Sequence, residues 1–234
     1  MNLDAQPLDA GPVVAHAYSP MDVLFNEWRP HVVAEAGHFV EDGIVCEEGW
    51  RKAKRKVLFV LKEPNGYEGE HGALNELLRK ATAPNSTSAM WDRPTFHTLG
   101  RWAHGLLHYS SEVAGYDAAH RARKNAILGC AYINIKKSTG SARATRNVEV
   151  HAAKYADFLR RQVAIINPDI VVCGGTYDML KAHAYPSMSK VSDRIHECEN
   201  CIFINAFHPG CRKNRRLVYD QVLLSFDRYM TRTS

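Results

Sequence analysis

The chain has 234 residues, of which 45% are hydrophobic and 24% charged, and its formal net charge is +5. That balance excludes wholesale disorder, and the length suits one large domain with a real core. No apolar run approaches the roughly 20 residues that span a bilayer, and the start MNLDAQPLDAGPVV has acids and no basic flank, unlike a secretory signal.

Residues 1–20 are rich in Ala, Pro and Asp and are expected to form a poorly ordered extension. Residues 21–234 then form a single domain, because no Gly/Ser linker and no internal repeat divides them. MDVLFNEWRPHVVAEA (21–36) reads as a helix interrupted by Pro30. Four short apolar runs follow along the chain: VLFVL (57–61), CAYINI (130–135), IVVC (170–173) and IFINAF (202–207). Nearly continuous apolar runs rich in β-branched and aromatic residues suit strands covered on both faces.

Helical patterns separate the runs. LNELLRKA (74–81) and FHTLGRWAHGLLHY (96–109) precede the second. Residues 147–166 precede the third, with Val148, Ala152, Tyr155, Ala156, Leu159 and Val163 at helical spacing and Asn147 as a candidate cap. TYDMLKAH (176–183) precedes the fourth, and LVYDQVLLSFDRYM (217–230) closes the chain. Alternating strands and helices predict a three-layer α/β/α fold around a central, mostly parallel four-stranded sheet.

Ligands of open parallel sheets bind outside the carboxyl ends of the strands. The first run leads into Lys62-Glu63-Pro64-Asn65, and the second ends in Asn134 before Lys136, Lys137 and Ser138. The third leads to Gly174-Gly175, the fourth to His208-Pro209-Gly210 and then Cys211-Arg212-Lys213. One edge thus collects a carboxylate, an amide, a histidine and a fringe of cations. Basic residues also cluster at RKAKRK (51–56), KKSTGSARATR (136–146) and CRKNRR (211–216), which permits a nucleic-acid partner.

The six cysteines, in a chain without an export signal, are expected to be reduced. Cys198-Glu-Asn-Cys201 has the spacing of a metal knuckle, with His196, His208 and Cys211 nearby. It has no second pair, so neither a metal nor another cofactor is expected.

In this order the motifs resemble the uracil-DNA glycosylase superfamily over about residues 55 to 230. VLFVLKEPNG looks like its first motif, a strand leading into a Gly-Gln-Asp-Pro-Tyr, Gly-Glu-Ala-Pro-Gly or Asn-Pro-Gly turn. AYINIKKSTG resembles the strand whose Asn reads the base, INPDIVVCGG the third strand, and AFHPGCRKN the His-Pro-Ser motif with its intercalating loop.

The resemblance implies a monofunctional DNA glycosylase with Glu63, His208 and Asn134 as catalytic residues. Glu63 would stabilise the sugar cation or orient a water, and His208 would donate to the departing base. Asn134, Asn65 and Tyr67 would contact a base flipped out of the duplex. Arg212 would fill the gap it leaves, and Lys62, Lys136, Lys137, Ser138, Gly210, Lys213 and Arg215 would lie along the DNA.

The chain departs from the family where Glu63 stands for the usual Asp, Asn or Ala, where Asn65 replaces a blocking Tyr, and where Gly210 replaces Ser. Lys62 beside the sugar would also suit a Schiff-base nucleophile. The open position at Asn65 points to a bulky modified pyrimidine, such as a glucosylated hydroxymethylcytosine of phage DNA excised in defence. Uracil in base excision repair, and DNA binding without catalysis, are the alternatives. A nucleotide-binding domain using Gly174-Gly175 as its phosphate turn ranks last, because no GxGxxG or GxxxxGKS pattern is present. No membrane or obligate protein partner is expected, and the expected location is the cytoplasm.

Overall fold

A computed structural model describes residues 18–140 and 145–233. Of the extension expected over 1–20, residues 1–17 lie outside the described residues. Ser19 and Pro20 instead open helix α1 (Pro20–Ala36) through a capping box: Ser19 Oγ accepts from the Asp22 N–H at 3.2 Å, and Asp22 Oδ2 accepts from the Ser19 N–H at 3.0 Å. Helix α1 continues through Pro30, which sits on its exposed side. Its opposite side buries Phe25, Trp28 and Val32.

The sheet has seven strands in the order β1-β3-β2-β4-β7-β6-β5. These are β1 (Gly43–Ile44), β2 (Val57–Leu61), β3 (Cys130–Asn134), β4 (Ile170–Gly174), β5 (Ser189–Lys190), β6 (Ile195–Cys198) and β7 (Cys201–Ala206). The four runs expected as strands are β2, β3, β4 and β7, and they pair in parallel. The expected four-stranded sheet is therefore the centre of a larger mixed one. Antiparallel β1 extends it beside β3, and β6 and β5 extend it beside β7. Strands β1 and β5 are too short to carry a period. IHEC (195–198) shows no period-2 alternation, and the Cys198–Cys201 spacing closes the β6–β7 hairpin with Cys198 paired opposite Cys201.

Alternate residues of the central strands feed two cores. Phe59, Tyr132, Val172 and Ile204 face the first, with α3 (Leu74–Ala81), α4 (Pro94–Leu107), α5 (Tyr116–Ala126) and α9 (Arg215–Thr233). Leu58, Ile133, Val171 and Phe203 face the second, with α1, α6 (Thr145–Lys154) and α7 (Ala156–Ile166). Helices thus cover both faces. Trp28, Trp102, Phe59 and Phe203 are essentially inaccessible, each contributing about 1.5–3 kcal/mol by burial alone.

The single helix expected over 147–166 divides at Tyr155, and Asn147 falls inside α6 rather than capping it. Val148, Ala152, Tyr155, Leu159 and Val163 are nevertheless all buried as the spacing predicts. Residues 176–183 become α8 (Tyr177–Met179), which runs into a π-helical turn over Leu180–Ala184. Helix α5 carries no apolar stripe: it buries Ala119 and Ala126 and packs closely on α4, where a methyl group at Gly100 would collide with the Arg123 carbonyl. A short six-residue helix, α2 (Glu47–Lys52), buries Trp50 and completes the set.

Candidate functional site

The chain leaves β2 towards β3 on one side and leaves β4 towards β7 on the other. The carboxyl ends of β2 and β4 therefore flank a switch point, where open α/β sheets form a crevice. Thr176 ties the two exits together, its Oγ1 donating to the Val60 carbonyl at 2.8 Å.

Gly174 and Gly175 permit close approach here rather than forming a phosphate turn. A Cβ at Gly174 would collide with Leu61, and one at Gly175 would lie 3.2 Å from the His208 Cβ. Gly175 has φ +73°, which favours glycine, and its N–H is occupied by the carbonyls of Cys173 and Ala206. The β7 exit is thereby drawn against the β4 exit.

Strand pairing continues beyond β2 and β3. The N–H groups of Ile135 and Lys136 donate to the carbonyls of Leu61 and Lys62, both at 2.9 Å. This sets Lys136 beside Glu63, with Nζ 3.0 Å from Oε2. The side chains are 11% and 7% exposed, so the pair is largely shielded from water. Lys136 Nζ also donates to the Thr139 carbonyl at 2.6 Å. Gly140 donates to the Pro64 carbonyl and bridges Asn65, which brings its backbone under the carboxylate of Glu63.

His208 Nδ1 accepts the Gly210 N–H at 3.1 Å. The neutral ring must then carry its proton on Nε2, leaving that atom as a donor. Burial, and then the nearby Lys62 charge, pull the pKa of His208 below its ordinary value. Neutrality near pH 7 is thus built into the site. Gly210, expected along DNA, instead orients the imidazole, and it packs so closely that a Cβ there would lie 2.7 Å from Thr95 Oγ1.

Asn134 is fully buried. Its Oδ1 accepts from the Tyr132 hydroxyl at 3.3 Å, and its Nδ2 approaches Asp42 Oδ2 at 3.4 Å. Asp42 also accepts the Asn134 N–H at 2.7 Å, the Lys137 ammonium at 2.5 Å and the Gln162 amide at 3.0 Å. Lys137, expected on phosphate, is instead fully buried, with its Nζ 5.2 Å from the Trp28 ring centroid. Its chain position explains this: Ile133, Ile135 and Lys137 form one row facing the second core, whereas Lys136 projects oppositely. Ser138, expected along DNA, is also buried, and its Oγ has no hydrogen-bond partner.

The remaining residues spread around this edge. Asn65 is exposed, its carbonyl accepting from Arg93 at 3.2 Å. The Tyr67 hydroxyl donates to the Gly72 carbonyl at 2.5 Å, and its ring packs on the first core. Lys62 is half-buried, while Arg212, Lys213 and Arg215 are exposed. Lys213 Nζ lies 4.6 Å from the Phe207 ring centroid. Among the described residues, no group of three or more His, Cys, Asp or Glu side chains forms a metal-binding arrangement.

Asp42 and Gln162 escaped the sequence reading because neither follows a central strand. Thr139 and Gly140 were passed over between the two lysines and the basic segment beyond. These residues define an α/β protein whose polar strand exits gather at a parallel-sheet switch point. No protein-family model matches the chain, and a search of curated proteins finds no significant match.

Proposed function

We propose that this protein is a DNA glycosylase that flips out and hydrolyses the N-glycosidic bond of a bulky modified pyrimidine, leaving an abasic site. The observation carrying this reading is that the same carboxyl edge of the sheet carries a carboxylate held by Lys136, after β2, and a neutral histidine held as an Nε2–H donor, after β7. Bond cleavage builds positive charge on the sugar and negative charge on the base. Glu63 supplies the first complement and His208 the second. Asn134, fully buried and bonded to Tyr132 and Asp42, braces this edge from within rather than presenting its amide to a base. By the resemblance, Asn65 would put a short amide, not a ring, where the strict uracil enzymes block a 5-substituent.

The test is a panel of oligonucleotides carrying uracil, hydroxymethylcytosine and its glucosylated form, treated with alkali to cut abasic products. Cutting is expected on a bulky pyrimidine; cutting on uracil alone would correct the substrate, and a folded protein leaving every strand intact would refute the activity. Borohydride trapping checks Lys62 chemistry, and no trapped adduct is expected. Among the described residues, no helix is long and apolar enough to cross a membrane.

Two further outcomes follow from the geometry. Gly140→Ala drives a methyl group into the Glu63 carboxylate. Excision is expected to fall about 10–100-fold, in line with small displacements of catalytic groups, while circular dichroism stays native. Wild-type excision by Gly140→Ala would remove Glu63 from the mechanism.

The pH profile should also carry the His208 signature. Its functional form is neutral and its folded pKa is lowered from 6.5, so excision should persist as pH falls through that value and decline only below it. Lys62→Met should move the acidic limb upward by removing a charge that opposes protonation. A limb unaffected by both Lys62→Met and His208→Gln would show that His208 is not the titrating donor.

A further inference from the structure

Helices α4, α5 and the start of α9 gather cations that the proposed chemistry does not use. Arg101 is 1% exposed, yet none of the described carboxylates pairs with it, nor with Arg123 or Arg215. Burying a guanidinium carries a large desolvation cost unless charge or hydrogen bonds offset it. Arg101 is braced by neutral partners only. Nη1 donates to His120 Nδ1 at 3.2 Å, Nη2 donates to Thr98 Oγ1 at 3.0 Å, and the guanidinium lies 5.0 Å from the Tyr116 ring centroid. Its buried Nε has no partner.

More positive charge surrounds it. Arg123 donates to the His120 carbonyl, and its own Nε is buried without a partner. Arg216 lies 5.5 Å from the centroid of the same Tyr116 ring. Arg123, Arg101 and Arg215 all act on His97, and after burial they hold its pKa below the ordinary value. His97 and His120 have ring centroids 5.8 Å apart. The nearest acid in an ion pair here is Asp117, exposed and 3.9 Å from Arg216. Four arginines therefore face one peripheral carboxylate.

The donors have an orientation as well as a charge. Because His120 Nδ1 accepts from Arg101, its neutral ring carries the proton on Nε2. That N–H, with the guanidinium groups of Arg123 and Arg215, suits an oxyanion with several acceptor oxygens.

We propose that this cluster binds a phosphate group, and that the phosphate belongs to the nucleic-acid strand engaged at the candidate site. The assignment to a strand rests on the glycosylase reading and on continuity along the surface. Thr95, two residues before His97 on α4, packs against Gly210 of the His208 loop, and Arg215 opens α9 directly after that loop. Arg93, just before α4, holds the Asn65 carbonyl. A backbone leaving the crevice past Gly210 meets Arg215 and then the Arg123–His120 face.

The experiment compares wild type with Arg123→Gln, Arg215→Gln and the double variant. Both side chains are partly or fully exposed, so the fold is retained. Affinity for a labelled, unmodified duplex is measured against salt. Each substitution should weaken binding several-fold and reduce the slope of log K against log salt by about one. Inorganic phosphate, followed by the His97 and His120 ring signals in NMR, should shift both in wild type and neither in the double variant.

A double variant with wild-type affinity and slope overturns the inference. Phosphate-dependent ring shifts with an unchanged duplex slope overturn the strand assignment in favour of a free anion. Excision by wild type with an unchanged slope defeats this inference alone, whereas a reduced slope without excision on any base defeats the glycosylase reading alone.

Discussion

Asp42→Ala is expected to rank among the most destabilising single substitutions in this chain, costing about 3–5 kcal/mol, the range for removing one partner of a buried ion pair. Asp42 is 2% exposed and gathers a backbone N–H, an ammonium and an amide on its carboxylate. Its loss leaves the Lys137 amine in the interior without its ion-pair partner, 5.2 Å from the Trp28 ring centroid, so that it must either stay charged at a desolvation cost or give up its proton. Burial already pulls the pKa of Lys137 down, and Asp42 is what opposes that pull. Urea unfolding monitored by circular dichroism should show the midpoint drop. Asp42→Ala combined with Lys137→Met should recover much of the loss, because an apolar replacement of the whole pair avoids the orphaned charge. An unchanged midpoint in Asp42→Ala would show that the pair does not hold β1, β3 and α7 together.

Glu63→Gln should reduce excision by about 10²–10⁴-fold, the usual worth of a positioned acid–base group, and His208→Ala by about 10²–10³-fold, as for one lost oxyanion donor. Glu63→Gln keeps the shape of the side chain but removes the charge proposed to face the sugar cation. It also releases Lys136 from its ion pair. The variant therefore gains one positive charge at the crevice and should bind unmodified duplex at least as tightly as wild type, with a steeper salt dependence. Single-turnover excision and duplex binding, measured on the same preparation, separate the two effects. Equal excision rates in wild type and Glu63→Gln would exclude the carboxylate from catalysis and leave a DNA-binding protein.

Much of this site was legible because strand ends in parallel sheets are where polar residues have no core role. Glu63 and His208 stood out as charges or ring nitrogens following apolar runs, and the structure places both at the carboxyl edge. The central strands were legible for the same reason: VLFVL and IVVC are buried along their whole length. The flanking strands were not, since a two-residue strand such as β1 has no period to detect.

Lys137 shows a different limit. Two adjacent lysines look like one surface feature, but extended backbone sends neighbours to opposite faces. Only the partner of each distinguishes them, and those partners, Glu63 and Asp42, come from distant parts of the chain. Arg101 likewise reads as an ordinary charge on an amphipathic helix. Its burial depends on α5 lying close over Gly100, which a polar sequence with two buried alanines does not announce.

The outer strands of the sheet carry a consequence for life at high concentration. Strand β1 closes one margin with two residues and β5 closes the other with two exposed ones. Long bare margins are templates on which another chain can add a strand and start an aggregate, and very short ones are a common protection. With its long strands all in the interior of the sheet, copies brought side by side at high concentration offer one another little backbone to join.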